Sequence, residues 1–153
     1  MHKRARSWGN GLTLAILLSA VIGAAFWIGR AEEKPSGREE LKIEVAELRS
    51  QAGVGQLLAE QAANGKVTSV FLREQASQLQ KNVEATHKKL DPSQFEPSVR
   101  DASSRAGELS ARLGENVRAL AGAYGDTQAA GALKDEFANL FSQLMSLENS
   151  LKS

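Results

Sequence analysis

The chain has 153 residues, with 19 basic and 18 acidic side chains, few aromatic residues and no cysteine. The lack of cysteine excludes disulfide bonds, thiolate catalysis and iron–sulfur ligation in this chain. The first 30 residues hold four basic side chains and no acid, so residues 31–153 carry 15 basic against 18 acidic side chains, without a basic run. Nucleic acid is not an expected partner, because phosphate binding needs lysine and arginine concentrated on one surface.

Residues 11–29 form an uncharged apolar segment behind a basic tail, residues 1–10. A helix of this length spans roughly 28 Å, close to the hydrocarbon thickness of a bilayer. Trp8 and Trp27 stand near the two ends of the segment, and indole rings favour the membrane–water interface. The segment therefore predicts a single transmembrane helix with these two tryptophans as interface anchors.

A cleaved signal peptide is the alternative to an anchor, and it would leave a secreted soluble periplasmic bundle. Leu12–Ile22 would be its apolar region, and Gly23–Ala25 its cleavage site. The apolar run continues through Phe26–Ile28, which is longer than such regions usually are and favours the anchor. The dense basic charge of the tail favours a cytoplasmic amino terminus and a periplasmic body on the inner membrane.

The body begins after a polar linker, residues 30–37, that contains one proline and one glycine. Beyond it, apolar residues recur at spacings of three and four, as in amphipathic helices. Asn64-Gly65, Asp91-Pro92 and Gly125-Asp126 interrupt this pattern. The predicted helices cover residues 38–64, 67–90, 97–124 and 127–152. The apolar line of the third helix is predicted to run through Val99, Ala102, Ala106, Leu109, Leu113, Asn116, Leu120 and Ala123.

Four amphipathic helices of about 25 residues, joined by short connections, can bury their apolar faces in an up-down-up-down arrangement. We therefore predict an all-α protein with an amino-terminal transmembrane helix, followed by an antiparallel four-helix bundle domain over residues 38–153. Two longer helices that dimerise as an extended coiled coil are the alternative. The three interruptions and the similar helix lengths favour the compact bundle.

The third helix has a second line of small residues beside its apolar line. Glycine inside a helix costs roughly 1 kcal/mol relative to alanine, so the glycines in this line invite a structural reason. We interpret the line as a helix-docking face, used either by a neighbouring helix of the same bundle or by a second chain. Its members are Ser103, Gly107, Ser110, Gly114 and Ala121.

Two further features inside the helices have alternative interpretations. Asn116 lies on the apolar line of the third helix, where a polar residue either fixes the register or the oligomer state, or pairs with Thr86 or a backbone carbonyl. Gly53 and Gly55 lie within the first helix, where they either weaken it locally or allow a bend, a close contact or a small ligand cavity. The first helix is expected to be locally weakened.

No motif for catalysis is present in the sequence. A glycine-rich phosphate loop, a nucleophile elbow, a zinc motif and paired carboxylates are all missing. Glu84 and His87 have the spacing of half a di-metal motif, but no second half accompanies them. We therefore expect no enzymatic activity, no cofactor and no bound metal.

By exclusion, these features predict a membrane-anchored interaction or scaffold protein of the bacterial envelope. Its expected partners are the membrane and an unidentified protein. A homodimer is a further expectation, because Ala15, Ser19 and Gly23 have the small-xxx-small spacing that lets two membrane helices pack closely.

The plan of an amino-terminal anchor followed by four helices is similar to the periplasmic four-helix sensory domains of bacterial chemoreceptors. The resemblance covers most of the chain and rests on the order of elements, not on a motif. It implies ligand sensing as the alternative function. Because the fourth helix ends at Leu151–Ser153 without a returning span, a signal would pass through a partner protein. The layout also resembles phage inner-membrane spanins, which a compact bundle fits less well.

Overall fold

A computed structural model describes residues 35–152 of the chain. The predicted all-α class with four helices is confirmed for this part, which contains no β-strand. Two short 3-10 turns, Pro92–Gln94 and Pro97–Val99, separate the second helix from the third. The helices are α1 (Arg38–Ala63), α2 (Ser69–Lys88), α3 (Arg100–Gly122) and α4 (Thr127–Ser150).

Turns at the predicted positions separate α1 from α2 and α3 from α4. Gly65 and Gly125 have φ values of 64° and 82°, in the left-handed region that favours glycine. The side chains of Thr68 and Asp126 then cap α2 and α4, each accepting a hydrogen bond from the backbone N–H three residues later, at 3.2 and 2.9 Å. Each cap satisfies a backbone donor that has no partner within the helix.

The apolar lines of the first, second and fourth helices form the core as their spacing predicts. The exceptions are Ala62 and Leu133, which are only partly buried. Contacts among the four helices bury side chains that include Leu48, Ala52, Leu79, Val83, Leu113, Leu120, Phe137 and Leu144. Burial of these apolar side chains, rather than intrinsic helix propensity, is the main stabilising term for such a bundle.

Helix α3 is turned relative to its predicted orientation. Ala102, Leu109 and Asn116, which the heptad pattern assigns to the core, are only partly buried. Ala106, Leu113 and Leu120 of the predicted line are buried as expected, and the other buried positions lie one residue later, at Ser103, Ser110 and Val117. Ser103 Oγ donates a hydrogen bond to the Leu90 carbonyl at 2.8 Å, which compensates for burying its hydroxyl.

Neighbouring helices run antiparallel. Helix α1 packs most extensively against α4, and α2 packs most extensively against α3. On α1, Gly55 lies beside Phe137 of α4. Six residues earlier on α1, Arg49 Nη1 is 3.0 Å from Glu148 Oε2, farther along α4. The residue numbers therefore rise along one helix as they fall along the other.

A buried hydrogen bond joins α1 to α2. Gln51 Nε2 donates to Thr86 Oγ1 at 3.1 Å, and the Thr86 hydroxyl donates to the Asn82 carbonyl at 3.1 Å. Thr86 therefore pairs with Gln51 and not with Asn116. Among the described residues nothing donates to Gln51 Oε1, although this oxygen is buried, so the pair leaves one acceptor in the core unsatisfied.

Replacing Thr86 with valine is expected to lower the free energy of unfolding by about 1–2 kcal/mol, because Gln51 loses its interhelical acceptor. The double variant with Gln51→Leu should cost less than Thr86→Val alone, because it also removes the unsatisfied oxygen. Chemical denaturation of the full chain in mild detergent, followed by circular dichroism, measures both. A double variant that is less stable than the single one would contradict this assignment.

Candidate functional site

The small-residue face predicted on α3 lies mainly inside the bundle. Ser103 and Ser110 are 0% exposed, and Gly114 is buried. A Cβ placed on Gly114 would lie 3.7 Å from side-chain atoms of Gln80 and Val83, both on α2. The helix that approaches this part of the face is therefore α2 of the same chain.

The other two residues of that face, Gly107 and Ala121, are only partly buried. A Cβ on Gly107 would meet no atom within 4 Å, and at Gly114 the contact would be ordinary van der Waals contact. Neither glycine is therefore required by a close approach between helices. The inference that glycine here signals a tight contact does not hold at these two positions.

The predicted membrane segment, with Trp8 and Trp27, lies outside the described residues. Within residues 35–152, none of the helices combines the length and the apolar character needed to cross a bilayer. Glu84 and His87 are exposed on α2. Over the same range, histidine, aspartate and glutamate side chains do not form a group of three or more that could hold a metal ion.

Sequence reasoning missed an uncharged line on the solvent side of α1, which we call the outer face. It repeats at spacings of three and four, and it lies on the side of the helix away from the buried line. Ile43 is 62% exposed and Ser50 is also exposed, while the other members are half-buried. The outer face comprises Ile43, Ala46, Ser50, Gly53 and Leu57.

The outer face differs from the solvent sides of the neighbouring helices in its charge. Exposed charged residues cover α2 and α3, for example Lys81 on α2 and Arg105 and Arg112 on α3. Between Leu41 and Ala59, in contrast, the exposed residues of α1 are the outer-face members Ile43 and Ser50. A helix that is apolar on two sides is typical of one that packs on both.

Aromatic and ionic groups of α4 flank the outer face. The half-buried Phe141 ring would lie 3.6 Å from a Cβ on Gly53. The Arg49 guanidinium stands 5.8 Å from the centroid of that ring, a cation–π distance, and is also ion-paired with Glu148. Met145, 41% exposed, belongs to the same helix. These contacts hold the edge of the outer face in a defined shape.

The first described residues are held against the bundle by two backbone hydrogen bonds. Ser36 N donates to the Gln94 carbonyl at 2.8 Å, and Glu96 N donates to the Ser36 carbonyl at 3.1 Å, so Ser36 forms a parallel bridge with Phe95. Phe95 is 2% exposed, and its carbonyl accepts a hydrogen bond from Arg100 Nε at 3.1 Å. The predicted linker is thus structured over its last residues, and residues 30–34 lie outside the described range.

The loop that receives this bridge is itself ordered by local hydrogen bonds. Asp91 Oδ1 accepts from Ser93 Oγ at 2.7 Å and from Ser93 N at 2.9 Å. These hydrogen bonds hold the pKa of the Asp91 carboxyl below its ordinary value.

Comparison of the chain with protein-family models, with curated proteins and with solved structures gives no match.

Proposed function

We propose that this chain is a non-enzymatic, membrane-anchored interaction or scaffold protein of the bacterial envelope. Residues 11–29 hold the bundle at the inner membrane, with the bundle on the periplasmic side. The outer face of α1 binds a protein partner. The observation that carries the proposal is this outer face, an uncharged and partly exposed line on a helix whose opposite side is already buried.

The outer face favours binding because exposure of its apolar side chains to water is unfavourable. Ile43 and Leu57 are large apolar side chains, and the other outer-face residues, Ala46, Ser50 and Gly53, are small and neutral. A partner helix laid along this line would remove apolar surface from water and could approach closely over Ala46 and Gly53. Because α1 is packed in the bundle, the outer face has the same shape before binding, so the loss of conformational entropy on binding would be small.

The anchor is supported by the sequence of residues 11–29, which contains no charge, and by the basic tail before it.

The test is whether the outer face is covered in the membrane. The chain has no native cysteine, so Ser50→Cys and Ser77→Cys each introduce a single thiol, the second at an exposed site of α2. In membranes that contain the full chain, we expect a maleimide to label Ser50→Cys several-fold more slowly than Ser77→Cys. The two should label equally after denaturation. Equal rates in native membranes would refute the assigned surface.

A further inference from the structure

We propose that the protein on the outer face of α1 is a second copy of this chain, docked with its α1 antiparallel to the first. This inference rests on the proposed function, because it names the occupant of the surface assigned there. It is carried by two properties of α1, which are the order of large and small residues along the outer face and the placement of charges along one of its edges.

The order of residues is nearly the same in both directions from Ser50. Ile43 and Leu57 each lie seven residues from Ser50, and the small Ala46 and Gly53 lie between. A two-fold axis through Ser50 would place Ile43 of one copy opposite Leu57 of the other. The small residues would then meet where the helices cross, so the backbones could approach closely.

Charges along one edge are complementary in this antiparallel arrangement. Lys42 and Glu60 are 18 residues apart, which is five full helical turns, so both lie along the same edge of the outer face. Around the two-fold axis, Lys42 of each copy comes within about 3 Å, measured along the helix, of Glu60 of the other copy. In a parallel pair this edge of one copy would lie on the opposite side of the contact from the same edge of the other copy, so Lys42 would not meet Glu60.

Two further acids lie near the outer face, and neither opposes this packing. Glu39, one turn before Ile43, pairs with Lys42 of its own helix at 3.1 Å, so Lys42 would lie between Glu39 and Glu60 of the other copy. Glu47 lies on the other edge, and its side-chain oxygen accepts a hydrogen bond from Gln51 Nε2 at 3.2 Å. In the antiparallel pair, the two copies of Glu47 stand about 9 Å apart along the axis, close to a Debye length at physiological salt. Their repulsion is therefore small.

One helix pair buries less than the roughly 1,600 Å² of a standard protein–protein interface. The dimer is therefore expected to be weak in dilute solution. Attachment of both copies to one membrane would raise their effective concentration and make the contact effective. The experiment accordingly uses the full chain in membranes, not an isolated bundle.

Oxidative cross-linking of the single-cysteine variants tests the proposal. Ser50 lies on the two-fold axis, so mild oxidation should convert Ser50→Cys into a disulfide-linked dimer on a non-reducing gel. Ser77→Cys should remain monomeric under the same conditions. Cross-linking of both variants at the same rate would indicate random collision and would overturn the proposal.

Charge variants test the antiparallel arrangement. In the Ser50→Cys background, Lys42→Glu should reduce the yield of cross-linked dimer, because the new acid faces Glu60 of the second copy. Adding Glu60→Lys should restore the yield by reversing both charges. A double variant that cross-links no better than Lys42→Glu alone would overturn the arrangement.

Labelling and cross-linking together distinguish whether the outer face is bound at all from whether the bound protein is a second copy of this chain. Slow maleimide labelling of Ser50→Cys without a disulfide dimer would mean that another protein covers the outer face. The proposed function would then stand and the dimer would fall. Labelling of Ser50→Cys as fast as Ser77→Cys, with no dimer, would overturn both proposals.

Discussion

Replacing Gly55 with alanine is expected to lower the free energy of unfolding by about 1–3 kcal/mol, the usual cost of overpacking a core. A Cβ at this position would lie 2.5, 2.6 and 2.8 Å from three ring atoms of Phe137. Phe137 is 0% exposed, so its ring cannot move aside without displacing the core. The glycine is therefore required by the ring of α4 that packs against it.

Gly53 provides the matched control. It lies two residues earlier in the same helix, and a Cβ there would be 3.6 Å from the Phe141 ring, an ordinary contact. Gly53→Ala should therefore leave stability unchanged or raise it by up to about 1 kcal/mol, since alanine favours the helix. Chemical denaturation of the two variants in the same detergent compares them directly.

A second substitution tests the cause. In a Phe137→Leu background the aromatic ring is gone, so Gly55→Ala should cost much less than it does in the unaltered chain. The difference between the two costs is the coupling free energy of the pair. Equal costs in both backgrounds would show that the ring of Phe137 is not the obstacle. The first helix would then be weakened locally, as the sequence first suggests.

Replacing Phe95 with alanine is expected to cost about 3–5 kcal/mol, although the residue lies in a loop, because its side chain is fully buried in the core. The variant should also loosen the point where the chain enters the bundle. The backbone of Ser36 bonds on either side of Phe95, so the N–H groups of Ser36 and Glu96 should exchange hydrogen faster.

Gln94→Ala is the control for this prediction. Gln94 precedes Phe95 but its side chain is exposed, and its bridge to Ser36 uses the backbone carbonyl, which alanine keeps. Its effect on stability should stay within about 0.5 kcal/mol. Hydrogen exchange followed by mass spectrometry measures the rate of backbone amide exchange around Ser36 in both variants. Unchanged exchange at Ser36 in Phe95→Ala would show that the bridge does not depend on the buried ring.

The apolar spacing was sufficient to predict four helices and most of the core. Large apolar residues such as Leu48 and Leu79 recur on one side of their helices, so only that side can be the buried one. In α3 the same pattern was ambiguous. Ala102 and Ser103 are both small, so neither the hydrophobic gain nor the cost of burial separates them strongly. The Leu90 carbonyl, which no spacing pattern places beside Ser103, accepts a hydrogen bond from its hydroxyl and so lowers the cost of burying it.

The candidate site was harder to predict than the fold. Ala46, Ser50 and Gly53 are too small and too neutral to register as an apolar line, and only Ile43 and Leu57 mark it. The bridge at Ser36 uses backbone atoms, so no side-chain pattern indicates it. The contact between Gly55 and Phe137 joins distant parts of the chain and depends on how the helices pack.

The central proposal is a full-length protein that is held in the membrane with its bundle outside the cytoplasm. The most direct measurement uses Ser98→Cys, at an exposed position in the turn before α3, in a chain with no other thiol. Bacteria that express this variant are treated with a membrane-impermeant maleimide, and the labelled species is sized and fractionated. We expect labelling of a full-length, membrane-bound species in intact cells. Labelling only after lysis, or of a shortened soluble species, would contradict the proposal.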